Sequence, residues 1–159
     1  MRDAGDFWKA SLVGGVAASF AMDVAQDVLA LLFERGRAPD DLDEEVEGIA
    51  GVLRALAALA PAWFPAHAAR VEARILHYAF GIAFAAAYVA GTRRAPWLGA
   101  SGGTAFGAGL FLLSDRFLIP ALKLGRSWQR YSRSERANAF LSHVVYGVVL
   151  EAMRKRFAA

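Results

Sequence analysis

From Ala10 to Phe33 the chain reads ASLVGGVAASFAMDVAQDVLALLF, 24 residues with no basic side chain and no proline, yet with Asp23 and Asp27 inside it. About 20 apolar residues at 1.5 Å rise each cross the hydrocarbon core of a bilayer, so this stretch is long enough to span one. An ionisable side chain near the bilayer centre costs roughly 2.5–3.5 kcal/mol on insertion scales, so such groups face a bundle interior or a water-filled path, not lipid.

Three more stretches follow the same pattern: about 71–91, with its apolar run starting at Ile75, about 97–122, and the shortest, about 137–153. The second and fourth reach spanning length by counting flanking residues whose Arg or Lys can snorkel. The chain is 57% hydrophobic with a mean hydropathy of +0.33, above the ~45–50% apolar share of soluble domains. Ala and Gly supply much of the excess, as where helices pack closely in lipid. The link from Thr92 to Pro96 is short enough to force an antiparallel hairpin. Ser132 and Glu135 have capping-box spacing for the start of the fourth span, and Pro120 and Gly125 mark the end of the third.

Between the first two spans, about 40–60, the run opens acidic and places Leu42, Val46, Ile49, Leu53 and Leu56 on one helical stripe. This predicts an amphipathic helix on the membrane surface or capping the bundle, with Pro61 and Pro65 bracketing its exit. Trp8, Trp63, Trp97 and Trp128 each fall at a span edge, where an apolar ring with a polar N–H sits at the membrane–water interface.

The formal charge of +3 does not point to nucleic acid, because the basic residues are scattered through the connections, where juxtamembrane Lys and Arg belong. Both faces are basic, so the charge distribution selects no orientation. With no cysteine, disulfides, iron–sulfur clusters, thiolate zinc sites and covalently attached haem are excluded. No small-x-small cleavage site follows the first span, and no hydrolase, kinase or dinucleotide signature occurs.

Tracing helix directions brings Asp27, His77, Asp115 and His143 to one depth, roughly 7–9 Å below the face with the two longer connections, with Asp23 one turn from Asp27. Such a layer has several chemistries open to it. Asp–His and Asp–Tyr hydrogen bonds fix helix register. Stacked carboxylates and imidazoles form a proton or ion path, since histidine titrates near neutrality. His77 and His143 are candidate ligands for a divalent metal, with the aspartates, or for b-type haem. Each histidine has a glycine four residues later, room for a close neighbour or a flat ligand. Gly99, Gly103 and Gly107 form a small-residue face that packs against a helix of this chain or across a homodimer.

Several of these motifs occur together: His77-Tyr78-Ala79-Phe80 leading to Tyr88; Gly103 and Gly107 leading to Leu113-Ser114-Asp115, then Pro120-Ala121-Leu122; and Ser142-His143 with Tyr146, Gly147 and Glu151. In this order they resemble the YagU-type family of uncharacterised bacterial inner-membrane proteins, and Gly14-Gly15 with the later aspartate resembles that family's opening helix. About 36–70 departs from the family and lacks a Pro-Pro-Arg type motif. The resemblance implies a small polytopic protein of the bacterial inner membrane, a link to acid tolerance, and motif positions for His77, Asp115 and His143; it brings no reaction. The expectation is an all-α, polytopic, integral-membrane four-helix bundle with an additional amphipathic surface helix. It is non-enzymatic and handles protons or ions, or supports acid and envelope stress tolerance. The alternative is an accessory or cofactor-bearing subunit of a larger membrane complex.

Overall fold

Small residues set how closely these helices approach. The computed structural model describes residues 4–33, 69–118 and 131–158, and every regular element among them is helical. Helix α1 is Ala4–Phe33 and α2 is Ala69–Arg94. A 3-10 turn, Pro96–Gly99, leads to α3, Thr104–Phe111, which continues as a π-helical turn, Leu112–Leu118. Helix α4 is Arg133–Ala158. The stretch about 40–60, Trp63, Trp128, Pro120 and Gly125 lie outside the described residues.

Local chemistry explains the ends. Ser132 Oγ accepts the Glu135 N–H at 3.2 Å, and a Glu135 carboxylate oxygen accepts the Ser132 N–H, which completes the capping box. The third stretch is not one helix from Trp97, because Gly102 and Gly103 take φ of +65° and +90°. Glycine adopts those angles without steric cost, and the chain turns there before α3 begins.

Helix α1 lies between α2 and α4, and α4 lies between α1 and α3. The contacts fix directions. Gly15 meets Ile82 and Gly81 meets Ser19; Gly14 meets Leu150 and Met153; Gly107 meets His143 and Val144. Each pair runs antiparallel, so α1 and α3 point one way and α2 and α4 the other. A Cβ on Gly15 would lie 2.7 Å from Ile82 Cα, and one on Gly107 would lie 2.8 Å from Val144 Cα. Cβ atoms on Gly103 and Gly147 would each overlap the other residue's carbonyl oxygen. Helices α3 and α4 therefore touch backbone to backbone, the close approach that small residues permit.

The interior is filled by Ala18, Met22, Ala85, Tyr88, Leu110, Tyr146 and Leu150. The Phe106 ring lies 4.4 Å from Tyr88 and 6.5 Å from Tyr146, centroid to centroid. Polar groups are buried beside them: Ser11, Ser19, Ser142, His143 and Glu151. The outside is the reverse. Leu12, Val16, Phe20, Val24, Val28 and Leu31 are exposed along α1, as are Phe80, Phe117 and Val148 elsewhere. Trp8 and Trp97 are also exposed. Two helical stretches, Ala4–Phe33 and Arg74–Arg94, are long and apolar enough to cross a membrane.

Candidate functional site

The glycine contacts set the level at which the ionisable groups meet. With Gly81 seated on Ser19, one further turn brings His77 and Tyr78 against Asp23. His77 Nε2 lies 3.2 Å from Asp23 Oδ1, within ion-pair distance but not aligned as a hydrogen bond. Tyr78 Oη donates to Asp23 Oδ2 at 2.9 Å. Asp27, one turn farther along α1, is exposed. The residue of α1 that faces His77 is therefore Asp23, where depth counted from Phe33 had selected Asp27. The contact register, set by Gly15 and Gly81, decides the match, and the end of the helix does not.

Across the interior, α3 and α4 bring Asp115 and His143 together. His143 Nδ1 lies 2.8 Å from the Ala139 carbonyl oxygen and 3.8 Å from Asp115 Oδ2. Its Nε2 lies 3.3 Å from Ser114 Oγ. Ser114 Oγ is 2.8 Å from the Leu110 carbonyl oxygen and 2.9 Å from Asp115 Oδ1. The π-helical turn is what presents Ser114 and Asp115, neighbours in sequence, to one ring. Such turns are rare inside helices and recur at functional sites. The Phe111 ring packs edge-on to the imidazole at 5.8 Å. The titratable and charged groups acting on His77 are Asp23 from α1, His143 from α4 and Arg74 from its own helix. The two pairs thus belong to one electrostatic neighbourhood.

The space beside each histidine is occupied by helices. Gly81 is covered by Ser19, and Gly147 by Gly103 and Gly107. His143 spends one ring nitrogen on Ala139 and turns the other to Ser114, and His77 faces Asp23. The room that the glycine beside each histidine would offer a flat ligand is thus taken up by a neighbouring helix. No group of three or more His, Asp or Glu placed to hold a metal occurs among the described residues. Gly99, like Gly103, packs toward Glu151 of α4.

A second polar cluster was not singled out from the sequence. Glu151, 2% exposed, accepts the Tyr88 hydroxyl at 2.9 Å and Arg154 through Nε and an Nη at 2.6 and 2.8 Å. Lys155 Nζ lies 3.5 Å from its other side. The signal was available: Glu151 shares a helical face with His143, and basic residues follow it at three and four positions. Ser114 had only its adjacency to Asp115 to recommend it.

A family model described as "Protein of unknown function (DUF1440)" matches residues 53–152. No curated protein and no solved structure matches the chain.

Proposed function

The chain belongs to the DUF1440 family, proteins of unknown function, and we propose for it the role of a multi-pass membrane protein whose interior Asp/His level takes up and passes protons. The observation that carries this reading is the inverted distribution of polarity. Large apolar side chains cover the outside, while His143, Glu151 and the buried serines lie within. Only 17% of the most apolar stretch of α1 is buried by the rest of the protein, and 28% of that in Arg74–Arg94. Water would penalise such a surface, whereas lipid accepts it and drives polar groups inward. Two carboxylates and two imidazoles from four helices, Asp23, His77, Asp115 and His143, support this reading as groups able to take up and release protons. The setting is a bacterial inner membrane, and the cellular purpose is tolerance of acid, as the family resemblance implies.

The test has two stages. Full-length protein expressed in a bacterium stays with the membrane pellet through alkaline carbonate washing; release into the supernatant refutes membrane residence. In proteoliposomes carrying a pH-sensitive dye and a potassium diffusion potential, wild type moves protons faster than protein-free vesicles. His143→Ala, folded by circular dichroism, reduces that rate. Equal rates for folded His143→Ala and wild type refute the proton role.

A further inference from the structure

The hydroxyl of Ser114 has one proton and three acceptors around it: the Leu110 carbonyl at 2.8 Å, Asp115 Oδ1 at 2.9 Å and His143 Nε2 at 3.3 Å. A hydroxyl can donate only once, and its hydrogen rotates to suit the surroundings. The state of His143 decides which acceptor wins. Its Nδ1 faces the Ala139 carbonyl, which can only accept, so Nδ1 keeps its hydrogen in both charge states. Nε2 is therefore the nitrogen left to exchange a proton, and Nε2 points at Ser114. When His143 is neutral, Nε2 competes for the serine proton. When His143 is charged, Nε2–H donates to Ser114 Oγ, and the serine proton turns to Asp115 Oδ1 or to Leu110.

We propose that Ser114 is the hydroxyl through which a proton passes between His143 Nε2 and the Asp115 carboxylate. The step balances. Imidazolium Nε2 gives its proton to Ser114 Oγ as the serine O–H gives its own to Asp115 Oδ1. The charged pair becomes a neutral imidazole and a neutral carboxylic acid, and Ser114 is unchanged. The direct route is poorer: Nδ1 lies 3.8 Å from Asp115 Oδ2 and is already engaged. The π-helical turn supports the same assignment, because it aims serine and aspartate together at α4 while Ser114 back-bonds to Leu110. The groups facing this unit from neighbouring elements are His77 of α2 and, through it, Asp23 of α1 and Arg74. Ser114 thus names the internal step of the proton role proposed above, and rests on it.

Two readouts separate the two ideas. The first is nitrogen NMR of isotope-labelled histidine in full-length protein held in lipid nanodiscs. Neutral His143 should show the Nδ1–H form, with an Nε2 signal that moves in Ser114→Ala and returns in Ser114→Thr, which keeps the hydroxyl. An Nε2–H form, or an Nε2 signal unchanged in Ser114→Ala, overturns the Ser114 assignment whatever the vesicles do. The second is proton movement in the proteoliposomes. Ser114→Ala should lose ~10²-fold, the scale of a positioned proton carrier, with most of the rate kept in Ser114→Thr. Full rate in Ser114→Ala overturns the relay alone. No rate above empty vesicles for wild type overturns the proton role itself, and the NMR result then still decides whether Ser114 bridges the two groups.

Discussion

Two polar clusters occupy the buried face of α4 about two turns apart, and they are satisfied to different degrees. Both Glu151 carboxylate oxygens have partners, through Tyr88, Arg154 and Lys155 at 2.6 to 3.5 Å. At the Asp/His level Tyr78 and Ser114 reach the carboxylates at 2.9 Å, but the contacts of the imidazoles with Asp23, Ser114 and Asp115 are longer, 3.2, 3.3 and 3.8 Å. His77 Nε2 has no aligned partner, and one serine proton serves three acceptors. A fully partnered network in a low-dielectric interior holds one arrangement, because each alternative strands a buried group. A partly partnered one has several arrangements of similar energy. Glu151 accordingly anchors α4 to α2, whereas the looser Asp/His level suits the proton exchange proposed above, because its partners can change without moving a helix.

The largest expected effect breaks this contrast or establishes it. Glu151→Ala removes the common partner of Tyr88, Arg154 and Lys155 and should cost about 3–5 kcal/mol, the range for breaking a buried ion pair. Asp115→Ala should cost less than half as much, since its partners are a neutral hydroxyl at 2.9 Å and an imidazole at 3.8 Å, with no two-point arginine contact. Thermal unfolding of both variants in one detergent compares them. Equal losses would mean that the Asp/His level is as much a structural anchor as Glu151.

A smaller effect comes from the seam that holds both clusters in register. Gly107→Ala puts a methyl against the His143 carbonyl and Val144 Cα, and overpacking of this kind costs about 1–3 kcal/mol. The displacement falls on the α3–α4 seam beside the Ser114–His143 contact, whereas His77 meets Asp23 across the α1–α2 seam. Proton movement should therefore drop with stability, while the histidine NMR signal of His77 stays in place. If His143 and His77 shift together, the two pairs move as one unit.

Much of this was legible in the chain, and the remainder has physical reasons. The first apolar stretch, the capping box at Ser132 and Glu135 and the small-residue character of Gly103 and Gly107 follow from local pattern, and tracing helix directions puts Asp115 and His143 in one layer without saying that they pair. Asp27 was matched to His77 because depth was counted from Phe33. The actual register comes from Gly15 and Gly81, a contact between residues far apart in sequence. The third stretch reads as one apolar helix, but two left-handed glycines start it late and a π-helical turn ends its regular part. Hydropathy is blind to both, and to Ser114, whose importance depends on that turn. Glu151 is legible in the sequence only as a motif position on one face with His143, because its partner Tyr88 lies 63 residues away and meets it only in the fold.

The smallest expected effect probes whether Asp23 couples its two partners. Tyr78 donates to one carboxylate oxygen and His77 approaches the other. Tyr78→Phe removes one interhelical hydrogen bond, worth about 0.6 kcal/mol on average in a membrane protein. His77→Gln keeps a polar side chain near Asp23 but removes the imidazole. If both act through Asp23, the double variant departs from the sum of the single ones by about 0.5 kcal/mol or more, as residues sharing a partner do. The cycle is read by unfolding midpoints in one detergent, with Asp23→Asn as the background in which the coupling should vanish. Additivity within about 0.3 kcal/mol, the behaviour of independent sites, would show that Asp23 does not link the tyrosine to the histidine. The α1–α2 pair would then be a simple packing contact, and the proton path would begin at His143.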